Sequence, residues 1–188
     1  EGTEKEIVIS SIFGTETARP RKSKTNYNTW INEGEEIFFK NLKSNIDISD
    51  AEKNTVKEFI ADLKILLGDK PNSSNDIGYY DWGGGSESPR FFARFYQLGY
   101  LKNWNTSATF NIDEDGSIRF RYPNRSTKDA QEFAVKFNEE LRKVSGAKKI
   151  LEQIDAGSRK PRWEVKDWVS YKDEFMEVIR KVCQPVIY

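Results

Sequence analysis

The sequence predicts an α+β fold in which a small antiparallel sheet, including a hairpin at residues 107–122, is covered by several amphipathic helices. Three observations predict it. Apolar residues recur at helical spacing in several segments, apolar and polar residues alternate in two adjacent short segments, and strands do not alternate regularly with helices. At 188 residues the chain is long enough to bury a core without disulfides or metals. We expect a single domain over residues 1–188, with a loop or linker at 14–29.

The first third of the chain predicts one strand and two helices. Residues 6–13 are rich in β-branched side chains and are followed by a polar loop at 15–28. Residues 30–42 predict a short helix. Ser49, with Glu52 three residues later, forms a capping box that begins a second helix, and Gly68 ends it.

The middle of the chain predicts a strand, a helix and a hairpin. Residues 77–82 are typical of a short strand. Ser88 as a cap and Pro89 at the first helical position predict a helix that ends near Gly99. Residues 108–122 alternate apolar and polar side chains on both sides of an Asp-Glu-Asp-Gly turn, which predicts a β-hairpin.

The last third predicts three helices. Ser126 and Asp129 cap the first, which stops at Gly146. A shorter helix ends at Gly157, and a final helix covers residues 170–184.

The composition excludes several kinds of active site. The chain contains no histidine, which removes histidine acid–base chemistry, Ser-His-Asp and Cys-His catalysis and histidine-ligated zinc from this segment. Its one cysteine, Cys183, lies among apolar helix residues and is interpreted as a packing residue. We therefore expect no cofactor and no bound metal, and a binding module rather than an enzyme.

Cysteine use and hydropathy suggest the compartment. A lone cysteine cannot form an internal disulfide, which favours a reducing compartment, the cytoplasm or, in a eukaryote, the nucleus. No apolar run approaches the length of a membrane span, so we expect no membrane partner. The sequence begins with Glu1 rather than Met, which is consistent with a module of a larger protein or with a processed or tag-cleaved chain, and of these we expect the module.

Two glycine-containing motifs have simple interpretations. Gly83, Gly84 and Gly85 precede a predicted helix, but the Gly-Lys-Ser/Thr order of a nucleotide-hydrolysing loop is absent. We interpret them as a connector, with contact between their backbone N–H groups and an anion as the alternative. The turn before Gly116 resembles half a calcium loop, but Tyr122 occupies the position of the bidentate acid, so we interpret it as a hairpin turn.

A Glu-x-Lys element offers one weak catalytic possibility. Glu164 and Lys166 match the spacing found in magnesium-dependent nucleases, where a carboxylate holds the metal and a lysine positions water. Such a site needs a second carboxylate on a neighbouring strand, and the nearest candidate, Asp155, ends a predicted helix. The alternative interpretation is an exposed strand of alternating charge.

Basic residues lie close to aromatic residues in three places, which is a pattern suited to contacting phosphates and stacking on bases. Residues 119–188 contain 16 Lys and Arg against 11 Asp and Glu, although the whole chain is neutral. The candidate phosphate contacts are Arg19, Arg21, Lys22, Lys24, Arg119, Arg121, Arg125, Lys128, Arg159, Lys160 and Arg162. The candidate stacking residues are Tyr27, Trp30, Trp82 and Trp163.

These observations favour a nucleic-acid-binding or target-recognition module that contacts DNA or RNA phosphates through basic loops and a basic hairpin face. The alternative is a protein-interaction or scaffolding domain in which aromatic side chains anchor a protein partner and arginines form the rim. A third hypothesis is the magnesium-dependent nuclease. A further interpretation of the arginines is that they keep a neutral protein soluble.

Overall fold

The computed structural model describes residues 27–68, 75–80, 89–96, 107–121, 128–158 and 160–182. Within these ranges, helices and a five-stranded antiparallel sheet form an α+β architecture, as the sequence predicts. The predicted strand at 6–13, the loop up to residue 26 and Cys183 lie outside the described residues. No helix in these ranges is both long and apolar enough to cross a membrane.

Two long helices precede the sheet in the chain. Helix α1 spans Tyr27–Ser44 and so begins within the stretch predicted as a loop, whereas α2 spans Asp50–Leu67 as predicted. At the start of α2, the Ser49 side chain accepts a hydrogen bond from the Glu52 backbone N–H, and the Glu52 carboxylate accepts one from the Ser49 backbone N–H. This reciprocal cap satisfies two donors that the first turn of a helix would leave unpaired.

The sheet has five strands in sequential order, and every neighbouring pair is antiparallel. They are β1 (Asn75–Tyr80), β2 (Arg90–Tyr96), β3 (Ser107–Ile112), β4 (Ile118–Arg121) and β5 (Arg162–Trp163). Strand β1 lies where the sequence predicts a strand, and β3 and β4 form the predicted hairpin. Its register pairs Phe110 with Phe120 and Ile112 with Ile118, which places four apolar residues on one face.

Strand β2 corrects the sequence prediction, which assigned a helix from Ser88 and Pro89 to Gly99. The aromatic residues of Arg-Phe-Phe-Ala-Arg-Phe-Tyr match a helical spacing, but Phe91 and Ala93 lie on the core face of a strand and are fully buried, while Phe92 between them is buried on the other face. Aromatic residues favour strands, and β2 pairs on both sides, with β1 and β3. The local pattern of this segment fits both a helix and a strand, and its pairing with two neighbouring strands therefore determines the strand conformation.

Four helices and a short 3₁₀ turn complete the described fold. They are α3 (Lys128–Leu141), α4 (Lys148–Asp155), α5 (Val165–Trp168), the 3₁₀ turn Val169–Tyr171 and α6 (Lys172–Val182). The Ser126 cap predicted for α3 lies outside the described residues. Helix α6 begins two residues after its predicted start because residues 169–171 form the tighter 3₁₀ turn.

The buried side chains form one continuous cluster that joins the helices to one face of the sheet. Phe175 of α6 lies at its centre. Its ring stacks on Phe59 of α2 at 5.5 Å between centroids and makes edge contacts with Trp163 at 5.3 Å and Phe120 at 5.8 Å. Large rings bury the most apolar area per residue, so this aromatic group holds the sheet to the helical layer.

Candidate functional site

The strand pairing separates the sheet residues onto a core face and a second face, which carries several arginines together with the buried Phe92. Sheet residues of the shared core, such as Ile77, Phe110 and Phe120, belong to one face. The backbone register places five arginines on the other face, against one acidic strand position, Asp76. We call this the arginine face, and its arginines are Arg90, Arg94, Arg119, Arg121 and Arg162.

A buried carboxylate lies at the end of this face where β3 turns into β4. Asp113 follows β3 two residues after Asn111 and is only 6% exposed. The Nε atom of Arg90 is 3.0 Å from its Oδ1, and the Nε atom of Arg119 is 2.6 Å from its Oδ2. One carboxylate therefore holds two guanidinium groups, one at each oxygen.

The charges in this group are unequal, because two cations share one anion. Burial raises the pKa of the Asp113 carboxyl above its ordinary value, and the charges of Arg90 and Arg119 oppose that shift. A buried carboxylate is tolerated when cations neutralise it, and here the cations remain about one-third exposed, at 36% for Arg90 and 31% for Arg119. Asp113 alone does not balance Arg90 and Arg119, and the two further acids of the cluster, Asp115 and Glu164, lie beside Arg162.

Arg162 on the edge strand β5 has a different environment. Its Nη2 is ion-paired with Asp115, its Nε is 3.2 Å from Glu164 Oε1, and its Nη1 is 3.8 Å from Asp113 Oδ2. Three carboxylates surround this one guanidinium, so its charge is compensated within the protein. Arg162 thus connects β5 to the β3–β4 turn and contributes little positive potential of its own.

The turn that carries Asp113 and Asp115 is fixed to the helices. Gly116 has φ +72° and lies against Val56 of α2 and Val165 of α5. The indole Nε1 of Trp168 donates a hydrogen bond of 2.9 Å to the Gly116 carbonyl oxygen. The acidic turn is therefore packed against the edge of the core, which positions the Asp113 carboxylate.

The structure brings together two of the predicted phosphate contacts, Arg119 and Arg162, but as partners of carboxylates. Arg121 lies on the same face by backbone register, and Lys160 is exposed just before β5. The stacking role predicted for Trp163 is wrong, because its ring is 1% exposed and packs on Phe175.

The other predicted contacts cannot be placed from the described residues. Helix α1 begins at Tyr27 and contains Trp30, and α3 begins at Lys128. The structure does not describe the side chains of these three residues. The remaining predicted residues lie outside it entirely: Arg19, Arg21, Lys22, Lys24, Trp82, Gly83, Gly84, Gly85, Arg125 and Arg159.

The residues of the nuclease hypothesis lie in helices and at a helix cap rather than on one strand. Glu164 precedes α5 as its N-cap and Lys166 lies within that helix, so the two do not share the exposed strand that the sequence suggested. Asp155, the last residue of α4, is ion-paired with Arg142 at 2.6 Å. In the part of the chain that the structure describes, no three acidic or thiol side chains are grouped to hold a metal ion.

Sequence reasoning missed Arg90 and Asp113. Arg90 was hidden by the helix prediction for its segment, and the alternation of Phe91 and Ala93 was the signal that could have revealed a strand there. Asp113 was interpreted only as a turn residue. Its position two residues after Asn111 on the polar face of the predicted hairpin indicated that it would lie beside Arg119.

Comparison of the chain with protein-family models, with curated proteins and with solved structures finds no match in any of the three.

Proposed function

We propose that this chain is a nucleic-acid-binding module that contacts phosphates through the arginine face of its sheet. The observation that carries the proposal is the register of five arginines on the face opposite the core, with one acidic strand position among them. Arginine side chains on strands and in adjacent loops supply much of the contact between proteins and nucleic-acid backbones.

The state of the arginines supports contact with an anion. Each guanidinium has five N–H donors, and the single carboxylate shared by Arg90 and Arg119 cannot engage all ten. Among the described residues, no acid other than Asp113 lies within ion-pair distance of either side chain. Partly exposed, unsaturated guanidinium groups on a rigid sheet suit the phosphodiester group better than they suit an apolar partner surface.

The exposed apolar side chains favour this proposal over a protein-interaction domain. Among the residues whose side chains the structure describes, the large apolar side chains that are exposed are Ile46, Ile65 and Val135, and none of them is aromatic. Isolated exposed aliphatic residues are ordinary on a protein surface, whereas interface hot spots are enriched in Trp, Tyr and Arg. Among the side chains that the structure describes, the surface thus shows arginines but no exposed aromatic residue.

The test is fluorescence anisotropy of the chain with labelled single-stranded and duplex DNA and RNA at low salt, repeated as the salt concentration rises. Contact with phosphates predicts a log-affinity that falls linearly with log salt, by about 0.9 per phosphate on a duplex and about 0.7 on a single strand. The proposal would be overturned if the chain binds no nucleic acid at low salt and instead binds a protein partner saturably with little salt dependence.

A further inference from the structure

We infer that Arg90 and Arg119 form one phosphate-binding pair whose geometry is set by Asp113, and that Arg162 is not part of it. This inference rests on the proposed function and narrows it to three side chains. The ligand is a single phosphate group, carried by a phosphodiester backbone or free in solution. Asp113 acts as a positioning residue, because it holds the guanidinium groups and does not contact the phosphate.

The distances define this arrangement. The closest approach of each arginine to Asp113 is through Nε, at 3.0 Å for Arg90 and 2.6 Å for Arg119. These approaches are charge contacts and not hydrogen bonds, because Arg119 Nε and both Asp113 oxygens have no hydrogen-bond partner. A guanidinium that contacts an acid through Nε can still use its Nη donors on a second anion. Because the side chains are already ordered, binding a phosphate loses less conformational entropy than it would with free arginines.

The neighbouring acids explain why Arg162 is excluded. Asp115 and Glu164 both pair with Arg162, so these two negative charges are taken up on the β5 side of the cluster. Asp115 is further held by hydrogen bonds from the backbone N–H and hydroxyl of Ser117, at 3.0 and 2.6 Å. Within this cluster of three arginines and three acids, an incoming anion therefore meets the excess of positive charge on the side of Arg90 and Arg119, and the excess of negative charge on the side of Arg162.

The experiment follows the arginine Nε–H resonances of the chain by ¹H–¹⁵N NMR during two titrations at constant ionic strength. One uses a short oligonucleotide and the other inorganic pyrophosphate. We expect the Arg90 and Arg119 signals to shift with the oligonucleotide while the Arg162 signal stays in place. Pyrophosphate shifting the same two signals would identify free phosphate as a sufficient ligand. Pyrophosphate without effect would assign the pair to a phosphodiester backbone.

Charge-conserving variants give a second readout that a purely structural role would not move. Arg90→Lys and Arg119→Lys keep the positive charge but lose the planar donors, so each should weaken oligonucleotide binding by about tenfold. Arg142→Lys is the matched control, because Arg142 is an exposed arginine paired with one carboxylate, and its affinity should equal that of the wild type. Asp113→Asn should weaken oligonucleotide binding, and the affinity of this variant should depend less on salt than that of the wild type. Asp113→Glu should bind more tightly than Asp113→Asn and more weakly than the wild type.

The outcomes separate this inference from the proposed function. The oligonucleotide could bind while the Arg90 and Arg119 signals stay in place and the lysine variants keep wild-type affinity. That result would contradict the proposed arginine pair and leave the proposed nucleic-acid binding intact. Absence of oligonucleotide binding overturns the function, and the pyrophosphate titration then decides the pair alone. If the Arg90 and Arg119 signals also stay in place with pyrophosphate, the proposed arginine pair is contradicted as well.

Discussion

At the scale of single residues, Asp113 shows how one turn residue organises a surface. A carboxylate at 6% exposure is unfavourable unless cations surround it, and Arg90, Arg119 and Arg162 all approach it. Because three strands and a turn supply these groups, the cluster exists only when the sheet is assembled. Its geometry thus depends on the turn that presents Asp113.

Substituting Gly116 tests that dependence. Gly116→Ala places a Cβ at φ +72° and 2.9 Å from Val165 Cγ2, so both backbone strain and a side-chain clash oppose the native turn. We expect the free energy of unfolding to fall by about 2 kcal/mol or more, measured by urea denaturation. The Arg119 Nε–H signal should also move, because the turn carries Asp113.

Gly157→Ala is the matched control for Gly116→Ala. Gly157 has φ +81°, yet an added Cβ would meet nothing within 4 Å. This variant should lose only the strain, about 1 kcal/mol. Equal losses in the two variants would show that the packing around Gly116 does not matter.

At the scale of elements, the capping box of α2 predicts a pH dependence. The hydrogen bonds from Ser49 lower the pKa of Glu52 below its usual 4.5. A lowered pKa in the folded state means that the ionised carboxylate stabilises the fold above about pH 4.5, and that this contribution is lost as pH falls through the folded value.

We therefore expect Ser49→Ala to lower the free energy of unfolding by about 1 kcal/mol at neutral pH. The difference from the wild type should shrink as the pH falls below 4.5, because Glu52 then becomes protonated in both proteins. Denaturation curves at several pH values measure it. Ser170→Ala, at an exposed serine, serves as the control, and a Ser49→Ala deficit that stays constant with pH would contradict the account.

A second element-scale prediction concerns the contact between α6 and α2. Lys172 Nζ is 3.1 Å from Asp62 and 3.5 Å from Glu58. Desolvation acts to lower the pKa of Lys172, but its interactions with Asp62 and the other acids outweigh it and raise the pKa. Lys172→Met should lower the free energy of unfolding by about 0.5–1 kcal/mol, since the acids are partly exposed.

The salt dependence of that loss identifies its cause. The difference between Lys172→Met and the wild type should decrease at high salt, because screening weakens the ion pairs in the wild type. Lys57→Met, at an exposed lysine of α2, should show a smaller effect at low salt. A loss from Lys172→Met that does not change with salt would indicate that packing, not charge, is responsible.

The elements also show what a sequence can predict. Helix α2 is predicted closely because its signals are local: Ser49 and Glu52 cap it, and Gly68 ends it. The hairpin is predicted because its turn and alternation lie within one short segment. Strand β2 is missed because its conformation depends on pairing with β1 and β3, which are distant in sequence. A local pattern containing Phe91, Phe92 and Phe95 fits both a helix and a strand.

At the scale of the whole molecule, the neutral total charge conceals a local separation. Sixteen basic and 11 acidic residues lie at 119–188, and the register gathers arginines from this region and from β2 onto one face. The helical layer covers the opposite face. This separation concentrates arginines on one surface of a neutral protein.

The candidate site is predicted from sequence only in part. Arg119 and Arg121 follow from hairpin alternation, but the pairing of Arg119 with Asp113 and of Arg162 with Asp115 depends on tertiary register. Trp163 illustrates the same limit, because its basic neighbours suggested an exposed ring, whereas the packing of α6 buries it. Residue types indicate the kind of chemistry, and the fold decides which of them face solvent.

The most direct test of the account is the salt dependence of nucleic-acid binding, compared between the wild type and the double variant Arg94→Gln/Arg121→Gln. These positions lie on the arginine face by register and leave the Asp113 cluster intact. We predict that the slope of log-affinity against log salt becomes shallower by about two, one for each lost phosphate contact. Lys40→Gln/Lys57→Gln on the helical layer should leave the slope unchanged. Identical slopes for all three proteins would contradict the assignment of binding to the arginine face.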